Sequence, residues 1–435
     1  MEELFHSAIV VSLSLSKYNG FEIYAIRLKA LGVGFGMVLL VAFVLVASVV
    51  AIAIFSQNLD RALKGAPTIA VRSQSVEPLP KVSVIIPAYN EAANIEACLT
   101  AVLEGTALNA DQLEVLVIDD QSTDETRAIV GLFQESRQDE RLKLFSAGER
   151  PAGEVWVGKN WACTQAVKHA QGEFLLFIDA DVRLKPQCIE TTIAYAQQEK
   201  TDLLSLSVVV LCRHWSEWLV QPLIVMLLDV GFEFALVNDP KSDTAFAAGP
   251  FMLFRRSAYD AIGGHAAVHD CVVEDVELSR RVKQKGLKLW YGLGRGLAEV
   301  QMYRSFSALW EGWTKNWFEG ANRDYQSTLY CAFVTLLIFA VPSIGLAIGL
   351  MNLVFSGLTI WNAIVLGLSA IALVQHYWIR AKNEPLLSIS PRYWWTMGIG
   401  GLIVCAIMLG SIVKTETGWG WTWRGRSLSA PSGDR

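Results

Sequence analysis

From Leu31 to Phe55 the chain carries no charged residue, an apolar run longer than the roughly 20 residues that cross a bilayer as a helix. A cleaved leader would have a shorter core and a small-residue cleavage site soon after it, so residues 29–56 are read as an uncleaved anchor. Lys17, Arg27 and Lys29 precede the run and Arg61, Lys64 and Arg72 follow it, so flanking charge does not orient it. Residues 1–28 form an N-terminal tail to which no role can be assigned. Three more long apolar segments close the chain, about Leu329–Phe355 with Pro342 inside, Leu358–Trp378 and Trp394–Val413. They make 326–414 a transmembrane region before a C-terminal tail, 415–435. Arg380, Lys382 and Arg392 put the loop between the last two segments on the cytoplasmic side.

Between these regions, after a polar linker (57–80), the periodicity changes. KVSVIIPAYNEAANIEACLTAVL predicts a buried strand (Val82 to Ile86), a turn (Pro87 to Asn90) and a helix. LEVLVIDDQSTDETRAIV repeats the unit, with Asp119 and Asp120 at the strand's carboxyl end. EFLLFIDADV supplies a strand, Phe174 to Ile178, ending in Asp179 and Asp181. Repeated strand–helix units predict an α/β fold with a mostly parallel sheet, whose ligands gather beyond the carboxyl ends of the strands. The four aspartates should then face one crevice. Two carboxylates two residues apart suit a hard cation, Mg²⁺ or Mn²⁺, which completes its shell with substrate phosphate and water. Alone, Asp-Ala-Asp after a strand is more often a turn with a solvated acidic end. Helix caps such as Ser122 and Asp124 account for one such turn, but not for three in succession.

Other stretches carry double readings. Lys159, in a short polar turn of VGKNWACTQAVKHA, is either a point charge for phosphate or surface decoration. Residues Arg213 to Asn238 read as an interfacial or buried helix, because Glu217, Pro222, Asp229 and Glu233 interrupt it. FAAGPFMLFRRSAYDAIGG predicts a glycine-containing turn, a strand and a short helix. Glu274 and Asp275 open a helix that ends near Gly286, where first-turn acids are favourable in their own right. Beyond Gln301 and Arg304, Phe306, Leu309, Trp310, Trp313 and Trp317 recur at helical spacing, with Glu311, Lys315 and Glu319 on the other face. That pattern fits a domain lying on a bilayer.

Charged residues are 18% and the net charge is −5, with no long Lys/Arg block, which argues against a nucleic-acid partner. Seven scattered cysteines without CxxC spacing fit reduced thiols in the cytoplasm.

Taken in order, VSVIIPAYNEAANI, VLVIDDQSTDET, GKNWAC, FIDADV, VEDVELSRRVKQKG and QMYRS resemble the family-2 glycosyltransferases of the GT-A fold. The likeness is to membrane-bound bacterial enzymes that glycosylate hopanoid or carotenoid lipids. The resemblance implies a GT-A catalytic domain, 81–325, that binds a nucleotide-diphosphate sugar donor. It implies donor contacts from Pro87, Tyr89, Glu91, Asp119, Asp120, Lys159, Asp179, Gln301 and Arg304, and a metal on Asp179 and Asp181. Asp275 becomes the general base, with Glu274 beside it in the catalytic pair. The acceptor would be a hydroxyl of a membrane lipid, of hopanoid, carotenoid or glycerolipid type, attacked with inversion at C1 by a hexosyltransferase in the plasma membrane. Activated sugars are cytoplasmic, which places the catalytic domain there too.

A processive polysaccharide synthase is the rival, and a transporter or non-catalytic scaffold the more distant one. Processive relatives carry Gln-x-x-Arg-Trp, whereas this chain reads Gln301-Met302-Tyr303-Arg304-Ser305; the missing ring predicts one sugar per acceptor. The tail GWGWTWRGRSLS resembles a basic ending expected on the catalytic side. Three full spans after a cytoplasmic domain would leave Arg424 and Arg426 outside. Either one segment is not a full span, and the Pro342 segment is the expected one, or the tail does not join the site.

Overall fold

The computed structural model describes residues 20–71 and 79–427, with side chains from Val38 to Arg426 apart from Ser356. Most of the expected N-terminal tail and part of the linker lie outside these residues. In chain order the elements begin with α1 (Gly20–Lys64), β1 (Val82–Ala88), α2 (Ile95–Glu104), β2 (Leu113–Asp119), α3 (Thr126–Arg137), β3 (Leu142–Ser146), α4 (Gly158–Val167), β4 (Phe174–Ile178) and β5 (Val182–Leu184). Next come α5 (Cys188–Glu199), β6 (Leu203–Ser207), β7 (Val209–Val210), α6 (Trp215–Gly231), α7 (Phe234–Asn238), β8 (Phe251–Arg255), α8 (Arg256–Ala261), α9 (Glu274–Gln284), β9 (Leu289–Leu293) and β10 (Ala298–Val300). The chain closes with α10 (Phe306–Gly320), α11 (Tyr325–Thr335), α12 (Val341–Ser356), α13 (Ile360–Leu387), α14 (Met397–Thr417), β11 (Thr422–Trp423) and β12 (Arg426–Ser427).

A seven-stranded sheet in the order β3-β2-β1-β4-β8-β6-β9 forms the centre, parallel except for antiparallel β8. Alternation along β1 assigns its two faces. Ile85 joins a core with Phe177, Phe55, Leu59 and Leu63, while Val84 and Ile86 join one with Cys98 and Leu99 of α2. The first strand runs two residues further than its apolar pattern predicts, to Ala88, and includes Pro87. Proline is tolerated there because pairing with β4 stops at Ile85.

The membrane-proximal region departs from the linear reading in two places. Residues 57–64 are no loose linker: α1 continues through them, with Leu59, Ala62 and Leu63 buried against the domain. The segment around Pro342 carries a π-helical turn at Leu336–Ala340 between α11 and α12. A proline ring displaces the carbonyl four residues back. Here the Ile338 carbonyl accepts from His376 Nε2 at 2.8 Å and its neighbour Leu337 from Ser48 Oγ at 2.7 Å. Among the described residues four helical stretches are long and apolar enough to cross a membrane, Val38–Lys64, Tyr325–Phe355, Ile360–Leu387 and Pro391–Thr417.

Candidate active site

A cavity of about 300 Å³ opens beyond the carboxyl ends of β1, β2 and β4. The register explains its location: Ala88 pairs with Asp119 across β1 and β2, so Tyr89 and Asp120 leave the sheet side by side, and Asp179 follows the last residue of β4. Pro87, Tyr89, Glu91, Asp120, Lys159, Asp179, Asp181, Glu274 and Asp275 all line it. The sheet has therefore gathered residues separated by up to two hundred positions around one space.

Lys159 lies in the first turn of α4 rather than in a turn before it, and it bridges two elements, 2.6 Å from Asp179 and 2.8 Å from Glu274. Burial disfavours its ammonium, but Asp179 and Glu274 outweigh burial and hold its pKa well above the ordinary lysine value. Burial likewise works against Glu274, yet Lys159 holds that carboxyl below its usual range. Asp275 has no such partner. Burial, and then the Glu274 charge, push it up to about 7. Its carboxylate accepts from the Gly249 amide and from the Val276 amide, each at 2.8 Å, which fixes its direction.

Asp181 is the other strained acid. Burial and the neighbouring Glu91 and Asp179 hold its pKa well above the carboxylate value, and its Oδ1 is buried without a hydrogen-bond partner. Among the described residues no three side chains form a self-contained metal cage. The orphaned oxygen of Asp181 and the adjacent Asp179 instead match a cation that borrows the rest of its ligands from a phosphate-bearing substrate.

Three expected contacts fall outside the cavity wall. Asp119 is buried at the end of β2, accepting from the Ser122 amide at 3.2 Å and facing Arg127 at 3.7 Å. Arg304 is exposed and tied to the Ala93 carbonyl and to Asn94 Oδ1 at 2.7 Å. Gln301 is half-buried after β10. Ser305, where processive relatives place tryptophan, caps α10 by accepting from the Ala308 amide at 3.1 Å. The rings on the cavity wall are those of Tyr89, Trp156, Tyr303 and Trp423.

Arg150 and the C-terminal tail also belong to the wall. Arg150 reaches Asp120 at 2.7 Å from the loop after β3. The tail does join the site: Arg424 pairs with Glu91 at 2.7 Å, while Arg426 pairs with Asp120 and lies 3.6 Å from the Tyr89 ring centre. Even with Arg150 and Arg426 beside it, burial keeps the Asp120 pKa raised. The basic Trp-x-Gly-Arg ending, Trp423 to Arg426, is visible in the sequence, but its contact with Glu91 and Asp120 is not. Gly158 and Gly249 are required by close approach, since a Cβ would stand 2.6 Å from Asp120 Oδ2 and 2.9 Å from Asp275 Oδ2, respectively.

Comparison with known proteins agrees with this arrangement. Residues 83–263 match the family described as Glycosyl transferase family 2, and residues 174–412, more than half of the chain, match Glycosyl transferase family group 2. A 4,4'-diaponeurosporenoate glycosyltransferase of Staphylococcus haemolyticus is 27% identical over 273 residues, covering 62% of this chain and 69% of the relative. The Staphylococcus aureus protein of the same name is 28% identical over 272 residues, with the same coverage of each chain. Among solved structures, a mannosyltransferase from Pyrobaculum calidifontis in complex with GDP-Man and Mn²⁺ has the same fold, with a TM-score of 0.50 at 20% identity over 87% of this chain and 98% of its own. The acids gathered at the strand ends thus belong to a glycosyltransferase of GT-A fold, and the chain is a member of glycosyl transferase family group 2.

Proposed function

We propose that the enzyme moves one sugar from a nucleotide-diphosphate sugar to a hydroxyl of a membrane lipid, inverting the anomeric centre. One observation carries the lipid reading: α10 is shared between the reaction cavity and the apolar helices. Lys315 and Asn316 on this helix line the cavity, while the Phe318 amide donates to Ser411 Oγ of α14 at 2.9 Å. The wall of the site is thus also a seat for an apolar helix. The staphylococcal relatives are named for 4,4'-diaponeurosporenoate.

In this reading Tyr89, Glu91 and Asp120 hold the nucleotide end of the donor, with Arg150, Arg424 and Arg426 keeping the acids oriented. Asp179 and Asp181 would hold Mg²⁺ or Mn²⁺, which when bound neutralises the charge of the diphosphate. Lys159 keeps Glu274 ionised and holds Asp179 in place. Asp275, aimed by the Gly249 amide, takes the proton of the attacking hydroxyl, and its pKa of about 7 suits a base working at neutral pH. Ser305 supplies no sugar platform, which supports a single transfer. Incubating membranes with radiolabelled donor and resolving the products by size tests this: a single lipid-soluble species is expected, and a ladder or polymer would overturn it.

Topology follows from the tail. With Arg424 and Arg426 at the site, we infer that one of the three apolar stretches after the domain does not cross, and the contacts favour Pro391–Thr417 over the Pro342 segment. A Cβ on Gly410 would rest 3.3 Å from Trp310, and Trp395, Ile399, Leu402, Leu409 and Val413 form an exposed apolar stripe. We therefore place α14 along the membrane surface, with α1, α12 and α13 crossing and the domain and tail in the cytoplasm. Cysteines introduced at Gly357 and Ser388 should label from opposite sides; labelling of both from one side would refute the arrangement.

A further inference from the structure

Five cations line the cavity: Arg150, Lys159, Lys315, Arg424 and Arg426. Four are matched by carboxylates, Arg150 and Arg426 by Asp120, Arg424 by Glu91, and Lys159 by Asp179 and Glu274. Among the described residues Lys315 forms no ion pair. Its Nζ lies 4.5 Å from the ring centre of Trp423, the tail residue that closes this part of the wall.

An ammonium withdrawn from water and left without a counter-charge is unfavourable unless something completes it. Burial holds the Lys315 pKa below the ordinary lysine value, and the carboxylates that act on it, Glu274, Asp275 and Asp179, belong to the reaction centre. Next to it, Asn316 Oδ1 is buried and has no donor. One wall therefore presents a cation lacking an anion beside an acceptor lacking a hydroxyl. A phosphate and the sugar attached to it satisfy both.

We propose that Lys315 contacts the distal phosphate of the donor's diphosphate and holds the charge that develops there as the sugar departs. The assignment rests on the nucleotide-sugar reading above. In the transfer step the acceptor oxygen bonds to C1, the bond from C1 to the phosphate oxygen breaks, and its electron pair remains on the distal phosphate. The hydroxyl proton goes to Asp275. Lys315 keeps its own proton throughout.

The test is nucleotide binding by the full-length protein in detergent, with Mn²⁺ present. GDP and UDP are titrated alongside GMP and UMP, which lack the distal phosphate. For the base that binds, Lys315→Met should weaken the diphosphate about tenfold, the size of one charge-assisted hydrogen bond, and leave the monophosphate within about twofold. Lys315→Arg should recover most of the loss. The monophosphate titration also verifies that the variant is folded. Equal weakening of both nucleotides, or no weakening of either, overturns the assignment. If the unaltered protein binds no diphosphate, the donor reading fails and the assignment falls with it.

Discussion

The Gly249 amide donates to Asp275 Oδ2 at 2.8 Å, and a Cβ on Gly249 would stand 2.9 Å from that same oxygen. A methyl group there would also approach Lys159 Nζ at 3.3 Å. Gly249→Ala should therefore turn Asp275 away from its line of attack and lower the transfer rate at least about tenfold. Nucleotide affinity, measured by titration, should be retained. Full turnover in this variant would show that the Asp275 direction is not set by Gly249.

The electrostatics of the acid pair give a pH prediction. A base must be ionised to work, and Asp275 is raised to about 7, so transfer should rise with pH through that region. Glu274 is the second cause of the elevation, after burial. Glu274→Gln removes that charge and frees Lys159 to act on Asp275, so the rising limb should move to lower pH. Asp275→Asn should cost at least about a hundredfold at every pH. An unchanged limb in Glu274→Gln would separate the pair.

For Asp181 the raised pKa means that ionising the carboxyl in the folded protein is unfavourable without a cation. Near neutral pH, Asp181→Asn should therefore raise the melting temperature of the metal-free protein and abolish the further rise produced by Mn²⁺. In the unaltered protein Mn²⁺ affinity should fall as pH is lowered, because protons compete for the same oxygens. EDTA should stop transfer. Equal Mn²⁺ stabilisation of both proteins would place the cation elsewhere.

Arg424 tests the reach of the tail. Burial raises the Glu91 pKa, and Arg424 is the main opposing influence. Arg424→Ala should push that carboxyl further up and free the tail from the Tyr89 and Asn90 carbonyls it now binds at 3.0 and 2.7 Å. Transfer is expected to fall about tenfold while the protein remains in the membrane fraction. Arg424→Lys should recover part of it. Undiminished activity would make the tail contact incidental.

Much of this protein is determined locally and so can be read in its sequence. The apolar strands, the acids at their carboxyl ends, the amphipathic α10 and the four apolar stretches follow from hydrophobic period and turn chemistry, which neighbours along the chain specify. Glu274 and Asp275 were legible as a pair. Which one is charge-paired and which is left to titrate near neutrality was not, because that depends on Lys159 reaching across from α4. The roles of Arg150, Gly249 and Lys315 were silent for the same reason, and the basic tail was visible without its partners. Each acquires its role from a partner on another element, supplied only when the sheet closes and α10 and α14 pack beneath it. Similarly, hydropathy shows that a segment can enter a membrane, whereas only the folded chain brings Arg424 and Arg426 of the tail to Glu91 and Asp120.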